Sequence, residues 1–253
     1  MIRLKSDDDI KYLEISGQIL SKILKSLAQY VDSGVKLKDL DLLARDLLKK
    51  YNAQSAFLNY KPSGAQKAYP AVLCTSVNNQ VVHGLPDKYI LQSGDILKID
   101  FSVNYQGYIT DAALTIGIGK ISDDAKHLIN FTKKALAEGI KQCQPGNHIG
   151  DIGWVIESVI KKANLKVLKS LTGHGVGFEL HEDPYVYNYG EKGSGQELVP
   201  GMVLAIEPLV SISTENIIQA NDDSYWTDDG SLSAHFEKTV AITKDGYKIL
   251  TPY

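Results

Sequence analysis

The sequence predicts an α+β protein with two pseudo-symmetric ααβ halves around a central antiparallel sheet. In each half, two stretches with apolar residues at helical spacing precede short apolar runs typical of strands. The segment Gly94–Asp100 is echoed by Gly201–Glu207, and a carboxylate closes each copy. Two such halves bury their apolar faces only against each other. We therefore expect a single domain over residues 1–253, with a site between its halves.

The first half begins with two predicted helices. Apolar residues recur at helical spacing over Asp7–Val31, and the acidic residues that open this stretch suit a helix N-terminus. A second periodic stretch lies within Gly34–Asn52. A loop that contains Pro and Gly follows at residues 62–69, and the pattern then becomes that of strands. The predicted strands are Val72–Val77, Ile96–Val103 and about Gly107–Ile118.

The second half repeats this order. One helix is predicted over Ser122–Ile140, and another after Pro145 and Gly146, where aliphatic residues share one face. Strands follow, and they include the echoed segment and an alternating run over Leu232–Val240. In both halves an acidic residue interrupts an otherwise apolar strand.

The composition excludes several classes of protein. The 253 residues are 43% hydrophobic with a formal net charge of -3, and they form no basic stripe, so nucleic acid is not an expected partner. No apolar run has transmembrane length and no signal core follows Met1, so we expect a cytoplasmic protein without a membrane partner. Cys74 and Cys143 lack the spacing of a thiolate metal site or a disulfide framework.

Two aspartates are candidate metal ligands. Alternation in Ile96–Val103 directs Asp100 away from the apolar side chains of a strand built to be buried. Asp111 follows a turn-like segment, so antiparallel pairing can bring both carboxylates side by side. When two carboxylates lie side by side, the pKa of one of them rises unless a cation lies between them. Hard divalent metals prefer carboxylate oxygens. Two exposed acids at strand ends are the alternative interpretation.

Glu207 and Glu237 extend this set, because Glu207 closes the echoed strand before Pro208 and Glu237 interrupts an alternating apolar strand. The stretch Gly173–Pro184 adds His174 and His181, and its glycines favour a tight loop or strand entry over a helix. Two Asp, two Glu and one His can form a dinuclear site, in which bridging carboxylates hold two ions and a shared water becomes the nucleophile.

Two further histidines would then act on the substrate. His83 and His181 would serve as unligated donors or general acids. The alternative for a histidine beside glycines is a structural hydrogen bond. The alternative for Glu237 is a cross-strand ion pair, although adjacent residues such as Lys238 point to the opposite face of a strand.

The same residues carry a family resemblance over nearly the whole chain. The motifs are Val82–Asp87, the pair Asp100 and Asp111, Gly173–Gly177 followed by His181–Pro184, Ile206–Pro208, and Ser231–Glu237. Each motif is weak alone, but together they resemble a type I methionine aminopeptidase. The resemblance implies a pita-bread fold, in which two pseudo-symmetric halves enclose a dinuclear metal site.

The resemblance also implies the ligands of that site. Five side chains would bind metal, namely Asp100, Asp111, His174, Glu207 and Glu237. Two divalent ions, drawn from Mn, Fe, Co or Zn, would be bridged by Asp111 and Glu237. Asn78 and Ser233 match positions that bind a monovalent cation in some relatives.

Catalytic and substrate-binding roles follow from the same resemblance. Glu207 would accept a proton from the attacking water, and His181 would stabilise the substrate carbonyl as it becomes an oxyanion. His83 would contact the scissile amide nitrogen or the backbone beyond it. Tyr69 and Cys74 match the pocket that receives the methionine side chain.

The chain departs from the family pattern at a few positions. Leu180 stands where Phe is usual, and Lys238 stands where His is usual. The loop Tyr60–Tyr69 is longer than usual, and Tyr225 and Trp226 lie in an unfamiliar register. These departures concern the methionine pocket more than the chemistry.

The resemblance implies metal-dependent removal of the N-terminal methionine from nascent polypeptides, with a small residue preferred in second place. It also implies a monomer that works at or near the ribosome. The alternatives are a proline-directed relative, such as prolidase or aminopeptidase P, and a non-catalytic pita-bread module that binds peptides, histones or nucleic acid.

Overall fold

Four helices in two pairs lie where the sequence predicts them, within residues 2–61 and 67–253, which the computed structural model describes. The helices are α1 (Asp7–Tyr30), α2 (Leu37–Lys50), α3 (Asp123–Ile140) and α4 (Ile149–Lys162). Apolar residues of both pairs, including Leu24 of α1 and Ile156 of α4, belong to one large buried cluster. In this part of the chain no helix has both the length and the apolarity that crossing a membrane requires.

Serine caps explain where α1 and α3 begin. The Ser6 hydroxyl accepts a hydrogen bond from the Asp9 N–H at 3.2 Å, and the Asp9 carboxylate accepts one from the Ser6 N–H at 2.8 Å. The Ser122 hydroxyl accepts from the Ala125 N–H at 3.1 Å. Each cap stabilises its helix by about 1 kcal/mol. The acidic start predicted for α1 is therefore confirmed as a helix N-terminus.

The strands of both halves meet in one antiparallel sheet. In the described residues the strands are β1 (Gln54–Ser55), β2 (Cys74–Val77), β3 (Gln80–Val82), β4 (Ile96–Tyr105), β5 (Tyr108–Gly117), β6 (Lys166–Val167), β7 (Thr172–Gly175), β8 (Glu182–Tyr187), β9 (Val203–Ile206), β10 (Leu209–Ser211), β11 (Ile217–Gln219), β12 (Tyr225–Thr227), β13 (Ser233–His235), β14 (Glu237–Thr243) and β15 (Gly246–Ile249). The main sheet has the order β1-β4-β5-β14-β9-β7-β8, with β2 beside β4 and β15 beside β14. Two small sheets have the orders β13-β10-β6 and β11-β12-β3.

Side-chain alternation gives the main sheet one apolar face and one polar face. Ile99 and Phe101 of β4, and Leu204 and Ile206 of β9, lie in the same buried cluster as the helices. Residues between them point to the other face. The helices therefore cover one face, and the opposite face is available for polar side chains. The predicted α+β class is confirmed.

The predicted strand Leu232–Val240 is wrong in one respect, because the chain changes sheets at Phe236. β13 pairs with β10, whereas β14 pairs with β5 and β9. The Thr115 hydroxyl donates to the His235 carbonyl at 2.7 Å and accepts from the His235 N–H at 2.9 Å. This side chain satisfies the backbone groups that a continuous strand would have paired with a neighbour.

Candidate metal centre

Backbone register places three of the predicted ligands around one alanine. Ala113 of β5 pairs with Asp100 of β4 on one side and with Glu237 of β14 on the other. Paired residues share a face of the sheet, and so do residues two apart on one strand. Asp111 therefore points to the same face as Asp100 and Glu237. The expectation that Asp100 and Asp111 lie on neighbouring antiparallel strands is confirmed, with the two offset diagonally rather than directly opposite.

The second half contributes its ligands to the same face. Thr239, two residues after Glu237, pairs with Ala205 of β9, and Ala205 also pairs with His174 of β7. Glu207 lies two residues beyond Ala205, just after β9 ends. The pairing of β5 with β14 joins the two halves at this point.

Glycines beside His174 allow β7 to pack closely between its neighbours. A Cβ atom at Gly173 would lie 2.3 Å from the Ala205 carbonyl oxygen, and one at Gly175 would lie 2.2 Å from the Asp183 carbonyl oxygen. Any larger residue would push the neighbouring strands away. The glycine-rich stretch thus begins as a strand, which agrees with the expectation that it does not form a helix.

The five side chains form a compact acidic cluster. Ligand atoms of Asp111, His174 and Glu237 all lie within 4.8 Å of one another. His174 Nε2 is 3.4 Å from Glu207 Oε1. Asp100 Oδ1 and Glu237 Oε1 are buried without a hydrogen-bond partner. Buried carboxylate oxygens that lack protein donors fit a divalent cation, which prefers such oxygens.

Burial and mutual repulsion govern the charges of this cluster. Burial, followed by the neighbouring carboxylates, raises the pKa of Asp100, Glu207 and Glu237 well above their usual values. Burial raises the pKa of Asp111 to about 7. Burial lowers the pKa of His174 to about 4, so this imidazole is neutral at pH 7 and has a lone pair for a metal.

His181 and His83 face the cluster from the edge of the cavity. The His181 ring lies 4.4 Å from the His174 ring, centroid to centroid, and its Nδ1 is 2.6 Å from the Tyr60 hydroxyl oxygen. Desolvation, then His174 and His83, lower the pKa of His181, which leaves a neutral ring. His83 has φ of 61°, a strained conformation for a residue other than Gly, and packs edge-on against Tyr225.

A cavity of about 810 Å³ opens above the acidic cluster. All seven residues predicted to bind metal or act in catalysis line it, together with the predicted pocket residues Tyr69 and Cys74. Its apolar wall includes Phe57 and Leu180, which belong to one buried cluster with Cys74. The Tyr69 hydroxyl lies 3.0 Å from the Leu73 carbonyl oxygen and 2.9 Å from that of Gly84, and its single proton is donated between these two acceptors.

Comparison with known proteins identifies the family. The sequence model of metallopeptidase family M24 matches residues 11–244. The methionine aminopeptidase of Clostridium acetobutylicum is 43% identical over 99% of both chains, and that of Aquifex aeolicus is 43% identical over 99% of this chain and 98% of its own. The crystal structure of the Thermotoga maritima methionine aminopeptidase matches with a TM-score of 0.96, at 36% identity and over 100% of both chains. The chain belongs to the methionine aminopeptidases of family M24.

Solved structures of lower sequence identity share the fold alone. The prolidase from Pyrococcus furiosus has a TM-score of 0.77 at 22% identity, and the match covers 99% of this chain but 65% of that chain. The predicted pita-bread fold is confirmed by both sets of structures. The resemblance to a type I methionine aminopeptidase is confirmed as well.

Membership of M24, a family of metallopeptidases, indicates divalent-metal use, and the acidic cluster fits this chemistry. The candidate ligands stand on strands of both halves or directly after them. The monovalent-cation positions have a different occupant, because the Lys98 amino group donates to the carbonyls of Asn78 and Ser233. These residues, as they stand here, do not fit a free monovalent ion.

The structure adds three residues near the acidic cluster that the sequence motifs do not single out. Tyr60 contacts His181, and no sequence pattern links two residues so far apart. His235 is buried with its Nε2 3.3 Å from Glu207 Oε2, and its spacing of two residues from Glu237 is the signal that the sequence offers. Lys98 interrupts the apolar strand β4 as the acids do, but its partners are backbone carbonyls.

The departures from the family pattern fall into two groups. Leu180 lies in the apolar wall, and Tyr225 contacts His83, so both bear on the substrate cavity. The Trp226 indole N–H donates to the Ser224 hydroxyl at 2.9 Å. Lys238 points to the opposite face of the sheet, where it donates to the Thr251 carbonyl at 3.0 Å. Half of the long loop, residues 62–66, lies outside the described residues.

Proposed function

We propose that this protein removes the N-terminal methionine from nascent polypeptides by metal-dependent hydrolysis, with a preference for a small second residue. The observation that carries the proposal is a single cavity in which the acidic cluster lies beside an apolar wall, and such a wall can receive a methionine side chain. Full-length similarity to methionine aminopeptidases supports the substrate class.

Five residues would hold two divalent ions in this cavity. They are Asp100, Asp111, His174, Glu207 and Glu237, all of which line it. Mn, Fe, Co and Zn all accept such an oxygen-rich set with one imidazole. The bound ions would supply a Lewis acid for the scissile carbonyl and an acidified water.

Glu207 would act as the general base. Its raised pKa suits a carboxylate that takes a proton from water and later releases it to the leaving amine. Its two carboxylate oxygens lie 3.4 Å from His174 Nε2 and 3.3 Å from His235 Nε2. The cluster of carboxylates would also attract the free α-amino group of a peptide, which supports exopeptidase action.

The neutral histidines would stabilise the charge that develops on the substrate. His181 would donate to the carbonyl oxygen as it becomes an oxyanion, and His83 would donate to the scissile amide nitrogen or the backbone beyond it. Cys74 and Tyr69 would line the pocket for the methionine side chain, where sulfur and aromatic groups make favourable contacts.

We also propose that the chain acts as a single domain and a monomer in the cytoplasm, at or near the ribosome. The sheet shared by both halves supports the single domain. The substrate class supports the place of action, since nascent N-termini emerge there. These points rest on the proposed activity.

Peptide hydrolysis by the reconstituted enzyme tests the proposal. The metal-stripped protein, reloaded with Mn²⁺ or Co²⁺, would be given a Met-Ala-Ser peptide and an Xaa-Pro peptide of equal length. We expect metal-dependent release of free methionine alone. Cleavage of only the proline peptide would instead assign prolidase-type activity, and binding of metal and peptide without cleavage would assign a binding module.

A further inference from the structure

Lys98 is a buried lysine on the polar face of β4, two residues before Asp100. Its side chain is among the largest that are fully buried, with an exposed fraction of 1%. The amino group donates to the Asn78 carbonyl at 2.6 Å and to the Ser233 carbonyl at 3.2 Å. A lysine amino group can donate both hydrogen bonds in either protonation state.

The two carbonyls are held in place by other contacts. Asn78 has φ of 53°, and its side chain donates to Asp95 Oδ1 and accepts from the Ile96 N–H, each at 2.9 Å. Ser233 is fully buried, and its N–H donates to the Asn78 carbonyl at 3.1 Å. The carbonyl pair is therefore a rigid acceptor site, and Lys98 reaches it along a fixed strand.

These carbonyls belong to the two residues that match the monovalent-cation positions of some relatives. A monovalent cation binds such carbonyl oxygens because they carry partial negative charge. Lys98 presents a donor group to the same oxygens from within the chain. One point beside two carbonyls cannot hold both an amino group and an ion.

We propose that the Lys98 amino group replaces the monovalent cation, so that this protein functions and folds without K⁺ or Na⁺ at that position. Lys98 thereby joins three segments that lead to the active site. β4 continues to Asp100, the turn at Asn78 continues through β3 to His83, and Ser233 begins β13, which precedes Glu237. Lys98 acts as a positioning residue through these segments.

The wild-type protein gives the first test. Thermal unfolding of the metal-free protein, and methionine release by the Mn²⁺-loaded protein, would be measured in KCl, NaCl and tetramethylammonium chloride at equal ionic strength. We expect the same Tm and the same rate in all three salts. A higher Tm or rate in KCl or NaCl alone would overturn the proposal.

A truncated lysine gives the second test. Lys98→Ala removes the amino group from both carbonyls and opens space beside them, so Tm should fall by about 5–15 °C. K⁺ or Na⁺ should restore part of that loss, and tetramethylammonium should not. Failure of both small ions to restore Tm would contradict the proposal.

Lys238→Ala is the matched control. Lys238 also donates to two backbone carbonyls, those of Thr251 and Tyr253, but on the other face of the sheet. Its loss should lower Tm without recovery in K⁺ or Na⁺, and equal recovery in both variants would overturn the proposal.

Heavy monovalent ions test occupancy directly. Crystals soaked with Tl⁺ should show anomalous density beside the Asn78 and Ser233 carbonyls in Lys98→Ala and not in the wild type. If Lys98→Ala does not fold, the wild-type crystals alone decide, since a Tl⁺ peak at this position would exclude the proposal. Neither Tm nor Tl⁺ density depends on which peptide is cleaved, so the proposed function is tested separately.

Discussion

The floor of the cavity and its apolar wall are built in different ways. The floor is the acidic cluster, which consists of Asp100, Asp111, His174, Glu207 and Glu237. Most floor ligands, such as Asp100 and Glu237, stand on paired strands, where backbone register fixes both their face and their spacing. Wall residues such as Tyr60, Tyr69 and Leu180 stand outside the strands and are held by a few side-chain contacts. Loops vary more readily than the strands they connect. In the proposed mechanism the reaction therefore depends on paired strands, and selectivity depends largely on loops.

The largest effect is expected from a change in the floor. Glu207→Gln keeps the size of the side chain but removes the proton acceptor, so kcat for Met-Ala-Ser should fall by about 10³-fold. KM should change little, because the wall is intact. Steady-state release of methionine measures both constants.

The matched control for that variant is Glu197→Gln, which makes the same change at an exposed position of the second half. Wild-type kinetics are expected for the control. Full activity in Glu207→Gln would disprove the assigned base, and loss of metal binding in that variant would assign Glu207 mainly a ligand role.

The floor also predicts how stability depends on pH and metal. The raised pKa values of its carboxyl groups mean that the metal-free fold is favoured while they are protonated. This stability is complete below the unfolded values of about 4 and is lost as the pH rises through the folded values. The lowered pKa values of His174, His181 and His235 oppose this trend below the unfolded histidine value of about 6.5. Tm of the metal-free protein should therefore fall chiefly between about pH 6.5 and pH 8.

Added metal should reverse this trend. A saturating concentration of Mn²⁺ should raise Tm by about 5–10 °C, with the greater gain at the higher pH, because the ion replaces the protons that neutralise the floor. Scanning calorimetry with and without Mn²⁺ measures the gain. A gain that shrinks as the pH rises would contradict the assignment of these carboxylates as ligands.

A smaller effect is expected where wall and floor meet. When Tyr60 donates its hydroxyl proton to His181 Nδ1, the other ring nitrogen carries the proton that the substrate carbonyl needs. Tyr60→Phe should lower kcat about 10-fold with little change in KM, because an orienting hydrogen bond of this kind contributes about 1.4 kcal/mol. Tyr30→Phe, at an exposed position on α1, should have no effect.

The kinetic constants separate two roles for Tyr60. A rise in KM alone would show that Tyr60 only lines the pocket. A fall in kcat together with a shift in the pH profile would support the proposal that Tyr60 sets the tautomer of His181.

The smallest effect is expected in the wall alone. Cys74→Ala removes one sulfur from the methionine pocket, so KM for Met-Ala-Ser should rise about 3-fold at constant kcat. Cys143→Ala makes the same truncation in the helical core, where Cys143 is fully buried away from the cavity. The control should lower Tm without a change in KM. Equal KM for both variants would show that Cys74 does not contribute to the methionine pocket.

The sequence predicts the floor well and the wall poorly, for a physical reason. An acid in an apolar alternating strand is visible because burial of an unpaired charge is costly, and this feature identifies Asp100 and Glu237. Asp111, Glu207 and His174 are also visible in the sequence, and the family resemblance joins all five into one set of predicted ligands. The sheet change at Phe236 depends on the Thr115 side chain, which lies far away in sequence. Lys98, like the acids, is a charged residue in an apolar strand. Its partners are backbone carbonyls, which the residue types of a sequence do not reveal.

The pairing of β5 with β14, which joins the two halves, determines when the acidic cluster can form during synthesis. Asp111 stands on a strand of the first half and Glu237 on a strand of the second, and those strands are hydrogen-bonded neighbours. Contacts between residues so distant in sequence form late in folding. During synthesis, the acidic cluster is therefore incomplete until β14 has left the ribosome and joined β5. An enzyme whose proposed substrates are unfinished chains would itself gain its proposed metal site only after β14 of its own chain has been made.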